Sequence, residues 1–340
     1  MANVLLTNKC IRECPYCFAG REMAQSEGQD FLSWENAVYL ADFLTASGER
    51  RVSLLGGEPS LHPEFVDITL YFVARGFDVN VFTSAIMSSA RLETLARHVA
   101  AAPAERLNFV CNLNDPEQTP TTASEREQVE AFLARLGAWT MPAFNIYRPD
   151  FRLEFLFGLV ERFGLRKRLR LGITHPIAGA GNAWIRAGEI GAVIERLCSY
   201  RHAFEAALIR PSFDCGFPLC RVVDADLGWL TRLGASTNFK CRPAIDITPD
   251  MEVYCCFPLS FLDRRSVFEF DSFRQIVEHY RKLQERVRTE IAGIYDECGS
   301  CIHRSEATCA GGGVCHIVNR LAAEAPATLK KIADDQACLS

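Results

Sequence analysis

The 340-residue chain lacks several features that mark membrane, secreted or nucleic-acid-binding proteins. No run reaches about 18 consecutive apolar residues, which a membrane-spanning helix needs. The first residues lack the charged, apolar and small-residue order of a signal peptide. The net charge is −5, and the one basic run, RFGLRKRLR at 162–170, is typical of a helix end leading into a strand. We therefore expect a soluble cytoplasmic protein without nucleic-acid or membrane partners.

The chain also lacks low-complexity blocks, and 49% of its residues are hydrophobic, which is enough for a large core. Short apolar runs alternate with helical segments, as in parallel sheets covered on both faces. Six strands are predicted, at 2–6, 51–55, 78–82, 107–113, 140–146 and 169–174. Six such units predict an α/β fold, a partial (β/α)6 TIM-like barrel, because a closed barrel needs eight.

Cap residues and turn residues predict further boundaries. We expect four helices to begin after Ser33, at Pro63, at a Ser124–Glu127 capping box and after Asp271. We also expect a long helix at 187–208 and a hairpin at 244–254. Beyond residue 210 the chain becomes rich in Pro, Cys and aromatic residues. The sequence thus predicts two domains, a barrel with a bridging helix at 1–210 and a small cysteine-rich domain at 211–340.

The 15 cysteines are unusual for a protein expected in a reducing compartment, where they favour metal or cluster ligation over disulfides. Cys10, Cys14 and Cys17 lie in CIRECPYC, on the loop that leaves the first strand. A structural zinc site needs a fourth ligand, and none follows nearby. Three thiolates can instead hold three corners of a four-iron cluster and leave one iron open. The alternative is three ordinary buried cysteines.

A second motif, GGEP, follows the second strand in LLGGEPSLHPEF (54–65). Gly56 and Gly57 allow a ligand to approach the backbone closely. Glu58 offers a carboxylate to an ammonium group. The alternative for GGEP alone is an ordinary strand-to-helix turn.

Together these segments resemble the radical S-adenosylmethionine (radical SAM) superfamily over about residues 2–180. The resemblance rests on C-x3-C-x2-C, with Tyr16 just before its last cysteine, and on GGEP. It implies that the three cysteines hold a [4Fe-4S] cluster and that Tyr16 and the GGEP turn contact S-adenosylmethionine. A flavodoxin- or ferredoxin-type protein would supply the electron that cleaves this cofactor to methionine and a 5′-deoxyadenosyl radical.

Further cofactor contacts follow from the same resemblance. Thr83 matches the first residue of a Thr-Asn-Gly turn found in relatives, whereas Ser84 and Ala85 depart from it. Asn112 and Asn114 are candidates for the ribose or the carboxylate of the cofactor.

The C-terminal cysteines resemble the SPASM extension, which holds two auxiliary iron–sulfur clusters, here expected to be [4Fe-4S]. By that correspondence, cluster I takes Cys241, Cys315, one of Cys255 and Cys256, and one of Cys215 and Cys220; cluster II takes Cys298, Cys301, Cys309 and Cys338. The match departs from the family at Met251, where a glycine is expected, and in the tail spacings x2, x7 and x5. A zinc ribbon using the tail cysteines, or using His303 and His316, is the alternative.

The resemblance implies hydrogen abstraction from a peptide or protein residue, as in peptide natural-product maturation. The first strand begins at residue 2, so we expect leader recognition from a separate protein or from the C-terminal domain. The alternatives are a dehydrogenase of a small biosynthetic intermediate and an electron-transfer or zinc protein without catalysis.

Four other residues are expected to be structural. Cys111 and Cys198 should lie in the core, and His62 and His175 should support the site rather than transfer protons. The sequence identifies no catalytic acid or base.

Overall fold

A computed structural model describes residues 1–20, 23, 28–100, 103, 105–179, 181–235, 237 and 239–337. Its centre is one ten-stranded sheet in the order β10-β9-β8-β1-β2-β3-β4-β5-β6-β7. Strands β1 to β7 run parallel, as the six predicted β/α units require. The strands are Ala2–Thr7, Arg51–Gly56, Asp78–Thr83, Leu107–Asn112, Thr140–Ile146, Arg168–Ile173, Arg210–Phe213, Ile245–Ile247, Glu252–Cys255 and Arg265–Ser266. The first six confirm the predicted strands and their α/β arrangement.

Helices connect successive parallel strands and bury apolar faces against the sheet. In chain order, α1 to α12 are Trp34–Ala46, Phe65–Ala74, Ser89–Val99, Ala123–Leu136, Glu154–Phe163, Ile190–Ser199, Arg201–Ala207, Asp224–Leu233, Phe273–Glu290, Ile302–Ser305, Val314–Glu324 and Pro326–Ala337. Large side chains such as Phe65, Phe72 and Phe109 are at most 1% exposed in this core. Within the described ranges, no helix is long and apolar enough to cross a membrane.

Ser33 caps α1 as predicted, but two other helix starts differ from the sequence prediction. Helix α2 begins at Phe65, after Pro63. The capping box is formed by Thr122 and Glu125, because the Thr122 hydroxyl accepts the Glu125 N–H at 3.1 Å and the Glu125 carboxylate accepts the Thr122 N–H at 2.7 Å. The predicted cap Ser124 lies inside that helix.

Two further predictions need correction. The segment 187–208 is two helices, α6 and α7, that meet at Tyr200. The Tyr200 hydroxyl donates to the Glu154 carboxylate at 3.0 Å, which holds this residue at the junction. Helix α9 is capped by Ser272, whose hydroxyl accepts the Gln275 N–H, and not by Asp271.

The C-terminal half extends the sheet at both edges. Strand β7 pairs with β6, and β8 pairs with β1 in parallel. The predicted hairpin at 244–254 is present as β8 and β9. The Asn3 amide donates to the Asp246 carboxylate across the β1–β8 pair at 2.7 Å. The division into 1–210 and 211–340 stays a prediction, and the sheet runs through both parts.

Candidate active site

The first cysteine loop leaves the carboxyl end of β1. Its three cysteines are free thiols, and the Cys17 N–H donates to the Cys14 carbonyl at 3.0 Å. Desolvation raises the pKa of Cys10 and of Cys17, and the nearby Cys14 thiol adds to both shifts. The three thiols therefore form one group, which a bound metal would hold as thiolates.

The GGEP turn is hydrogen-bonded onto this loop. The Gly57 N–H donates to the Thr7 carbonyl at 2.9 Å, and the Glu58 N–H donates to the Lys9 carbonyl at 2.8 Å. Gly56 has φ +131°, which favours glycine, and a Cβ at Gly57 would collide with the Lys9 carbonyl. The two motifs thus form one rigid unit that only glycine permits.

Glu58 connects this unit to the end of β3. Its buried carboxylate accepts the Thr83 hydroxyl at 2.7 Å, the Ser84 N–H at 2.7 Å, the Ser84 hydroxyl at 2.6 Å and the Ser60 N–H at 3.3 Å. Four donors occupy the roughly four lone-pair sites of a carboxylate. A ligand ammonium would therefore displace a donor or add a fifth partner. Ser84, which departs from the family turn, is a site residue that the sequence analysis missed.

Tyr16, Asn112 and Asn114 lie at the neighbouring strand ends. The Tyr16 hydroxyl donates to Asn114 Oδ1 at 3.0 Å, and the Tyr16 ring lies 5.1 Å from the Tyr147 ring. Asn112 Oδ1 instead accepts from Arg170 Nη1 at 3.3 Å. The two asparagines thus have different partners. Asn114 is hydrogen-bonded to the first cysteine loop, whereas Asn112 is hydrogen-bonded to strand β6.

Arg170 is a second residue that sequence analysis missed. It lies on β6, forms an ion pair with Asp214 and places its guanidinium 5.0 Å from the Phe82 ring centre. Its Nε is buried without a hydrogen-bond partner among the described residues. A charged residue inside an apolar strand, in LRLGIT, is the signal that could have identified it.

The C-terminal cysteines separate into two groups. The first group contains Cys215, Cys241, Cys256 and Cys315, whose pKa values are raised by burial, by neighbouring thiols or by both. Cys255 is buried in β9, where its sulfur accepts from Gln284 Nε2 at 3.3 Å and lies 3.9 Å from the Cys256 sulfur. Cys256, and not Cys255, adds to the raised pKa of each of the other three thiols, so we group Cys256 with them.

The second group contains Cys298, Cys301 and Cys309, and these three thiols add to the raised pKa of Cys220. Cys338 lies outside the described residues. In the described part of the chain, no three Cys, His, Asp or Glu side chains could hold a single metal ion. An iron–sulfur cluster differs from such a site because each thiolate binds a separate iron.

Arg288 lies between the two groups. Its guanidinium donates to the carbonyls of Ala310 and Gly312, and the thiols of Cys241, Cys309 and Cys315 lie close enough to raise its pKa. Desolvation is the larger effect, and it lowers the pKa of Arg288. A partly buried cation thus contacts the backbone that separates the two groups.

A histidine pair connects the first cysteine loop to the C-terminal groups. His316 Nε2 and His175 Nδ1 are 3.0 Å apart, and the His175 ring is stacked on Phe18 at 6.4 Å. Burial lowers the pKa of His175 to about 4, and it also lowers that of His316. His175 Nε2 is buried without a hydrogen-bond partner among the described residues.

The remaining expected core residues lie away from these groups. Cys111 is fully buried, Cys198 is partly buried against the core, and His62 Nε2 lies 2.8 Å from the Leu32 carbonyl.

Residues 4–110 match the family model described as the Radical SAM superfamily. This part of the chain is therefore similar to that superfamily. The chain is 30% identical over 118 residues to a GTP 3′,8-cyclase of Microcystis aeruginosa, which covers 34% of this chain and 35% of the cyclase. It is 33% identical over 92 residues to a PqqA peptide cyclase of Ruegeria pomeroyi, which covers 26% of this chain and 24% of that enzyme. The similarity to each of these two relatives thus spans about a third or less of that relative's length.

Solved structures show the same fold over most of the chain. The structure of anSMEcpe with bound AdoMet superposes with a TM-score of 0.61, at 13% identity, over 98% of this chain and 96% of that one. Streptococcus suis SuiB bound to precursor peptide SuiA superposes with a TM-score of 0.57, at 13% identity, over 93% of this chain and 70% of that one. The partial-barrel fold with a C-terminal extension is therefore shared with both of these structures.

The superfamily whose model matches residues 4–110 implies a [4Fe-4S] cluster and S-adenosylmethionine, and the residues present fit both. Three free thiols lie on one loop, and the adjoining glycine turn leaves room that a Cβ would fill. Cys10, Cys14 and Cys17 would hold the cluster.

Proposed function

We propose that this protein cleaves S-adenosylmethionine reductively and abstracts hydrogen from a peptide or protein residue, which leads to oxidation or cross-linking. The hydrogen bonds that join the first cysteine loop to the GGEP turn carry the cofactor part of this proposal. A flavodoxin- or ferredoxin-type donor supplies the electron. When bound, the cluster and S-adenosylmethionine supply a 5′-deoxyadenosyl radical.

The residues of this chain position the cofactor and exclude water. Glu58 holds the ends of β2 and β3 together through Thr83 and Ser84, so the cofactor would meet a preformed edge. Tyr16 is buried on the opposite side of the loop and covers the end of β4 through Asn114. Both features reduce the entropy lost on binding.

The two C-terminal groups are proposed to hold auxiliary [4Fe-4S] clusters in a SPASM-like domain. Cys215, Cys241, Cys256 and Cys315 supply four thiols to the first cluster. Such a cluster near the substrate can accept the electron that remains after hydrogen abstraction. A zinc ribbon in the tail is the competing interpretation, and metal analysis distinguishes the two.

Similarity to the PqqA peptide cyclase and the shared fold with SuiB support a peptide substrate. A separate leader-binding protein would then present the peptide. Similarity to GTP 3′,8-cyclases supports the second candidate, a small-molecule substrate. Neither relative is matched over more than about a third of its length, so the substrate class is tested directly.

The first test is formation of 5′-deoxyadenosine from S-adenosylmethionine by anaerobically reconstituted protein under dithionite. The wild type should form it without substrate, and Cys14→Ala should not. Cys198→Ala, which changes a thiol outside all three groups, is the matched control and should behave as wild type. No product from the wild type would contradict radical chemistry and favour a cluster carrier.

The second test compares stimulators of this reaction. We expect peptides encoded beside the gene to increase 5′-deoxyadenosine formation and to lose two hydrogens by mass spectrometry. Stimulation by GTP alone, without peptide modification, would replace the peptide proposal by the small-molecule one.

A further inference from the structure

Cys220 lies in a short turn, Leu219–Arg221, that contacts the tail cysteine segment. The Arg221 guanidinium lies 4.1 Å from the centre of the Tyr295 ring. The Tyr295 hydroxyl donates to the Ala187 carbonyl at 2.7 Å, which fixes that ring. The backbone carbonyl of Tyr295 accepts the Cys298 N–H at 3.1 Å. One aromatic residue thus contacts the Cys220 turn and the Cys298 turn.

The tail segment holds its own three thiols in a fixed arrangement. The Cys301 carbonyl accepts the Arg304 N–H at 3.1 Å, and the Cys309 N–H donates to the His303 carbonyl at 2.9 Å. The Cys309 sulfur accepts the Gly311 N–H at 3.4 Å. Cys298, Cys301 and Cys309 therefore form a group that lacks one thiol for a four-cysteine cluster site.

The chain between Cys215 and Cys220 directs these two cysteines to different groups. Gly216 is packed against the backbone of Cys241, where a Cβ would lie 3.0 Å from the Cys241 nitrogen. The next residue, Phe217, is 2% exposed, and its ring lies between Phe213 at 4.9 Å and Phe239 at 5.2 Å. This anchor holds Cys215 beside Cys241, whereas Cys220 lies in the following turn, next to Arg221.

We propose that Cys220, and not the C-terminal Cys338, is the fourth thiolate ligand of the second auxiliary cluster. The inference rests on the proposed function for the identity of the cluster. The thiol of Cys220 is exposed and has the three tail thiols as its electrostatic neighbours. The segment 215–220 then supplies one ligand to each auxiliary cluster and connects both to the barrel through β7.

The test uses a parent protein that carries Cys10→Ala, Cys14→Ala and Cys17→Ala, so that only auxiliary metal remains. Into this parent we introduce Cys220→Ser, Cys338→Ser or the control Cys198→Ser. Iron, zinc and sulfide are then measured after anaerobic reconstitution, with EPR of the reduced proteins. We expect about eight irons in the parent, and about four irons or an altered second EPR signal only with Cys220→Ser.

A second measurement needs no variant that could fail to fold. Iodoacetamide labelling of reconstituted wild-type protein, followed by mass spectrometry, should leave Cys220 unmodified and modify Cys338. After removal of metal by a chelator, both should be modified. An exposed thiol that is protected only when metal is bound is a ligand.

Other outcomes would overturn the inference. These are loss of metal with Cys338→Ser, no change with Cys220→Ser in either metal or EPR signal, alkylation of Cys220 in the loaded protein, or a parent that binds no metal. Zinc instead of iron in the parent would remove the auxiliary clusters from the proposed function. In that case, loss of zinc from Cys220→Ser would still show that Cys220 is a metal ligand. The radical reaction is tested separately, by 5′-deoxyadenosine formation.

Discussion

Gly57→Ala tests whether the first cysteine loop and the GGEP turn are one unit. The new Cβ would collide with the Lys9 carbonyl and would lie 2.9 Å from the Cys10 nitrogen. Overpacking of this kind costs about 1–3 kcal/mol. Moving Lys9 away also weakens its 2.8 Å hydrogen bond from the Glu58 N–H, worth about 0.5–1.5 kcal/mol. The total of about 1.5–4.5 kcal/mol corresponds to a roughly 12- to 1,600-fold weaker site.

The assay is iron content after reconstitution, together with calorimetric titration of S-adenosylmethionine. We expect Gly57→Ala to lose about four irons per chain, to bind the cofactor at least about 10-fold more weakly, and to keep the iron of the proposed auxiliary clusters. Gly158→Ala is the control, because nothing lies within 4 Å of its added Cβ inside α5. It should increase stability by about 0.5–1 kcal/mol. Wild-type iron content and cofactor affinity in Gly57→Ala would refute the reasoning.

Three further predictions address other parts of the molecule. Arg288→Gln should lower the reduction potentials of the proposed auxiliary clusters in an EPR-monitored titration, because a partly buried cation favours the reduced form; the exposed Arg281→Gln on the same helix should leave them unchanged. Burial lowers the pKa of His62 in the folded protein. The neutral His62 side chain should therefore contribute fully to the free energy of unfolding above about pH 6.5, and this contribution should be lost as the pH falls through the folded-state pKa of His62. Urea unfolding of metal-free protein at several pH values should show this loss, and His62→Gln should reduce it while the part caused by the lowered pKa values of His175 and His316 remains. Ser272→Ala removes the cap of α9 and should cost about 1 kcal/mol in the same unfolding assay; no change would contradict the assigned cap.

Local signals predicted much of the fold because they act over short stretches of chain. The apolar strand runs and the Ser33 cap depend on neighbouring residues, and all six predicted strands are present. Errors arose where several local signals competed. Ser124 and Asp271 are good cap residues, but Thr122 and Ser272 form the caps because their side chains reach the free N–H groups of the first turn.

The position of the two main motifs also follows from the sequence. Each lies directly after a buried strand, and the carboxyl ends of parallel strands meet at one edge of a sheet. The partners of Glu58 could not be predicted, because Ser84 comes from another strand end and departs from the family turn. The His175–His316 pair likewise joins residues 141 positions apart.

By itself, the sequence determined the alternation of strands and helices, the spacing of the first cysteine loop and the number of cysteines, because each depends on spacing within one segment. Only the tertiary structure decided how the C-terminal cysteines are grouped. Cys215 and Cys220 are neighbours in the chain, yet the packing of Gly216 and Phe217 places them in different groups. Cys256 follows β9 with φ +57° and has the other thiols of the first group as neighbours, whereas Cys255 ends β9 and its sulfur accepts from Gln284. Such choices depend on contacts between distant segments, and spacing along the chain carries no information about those contacts.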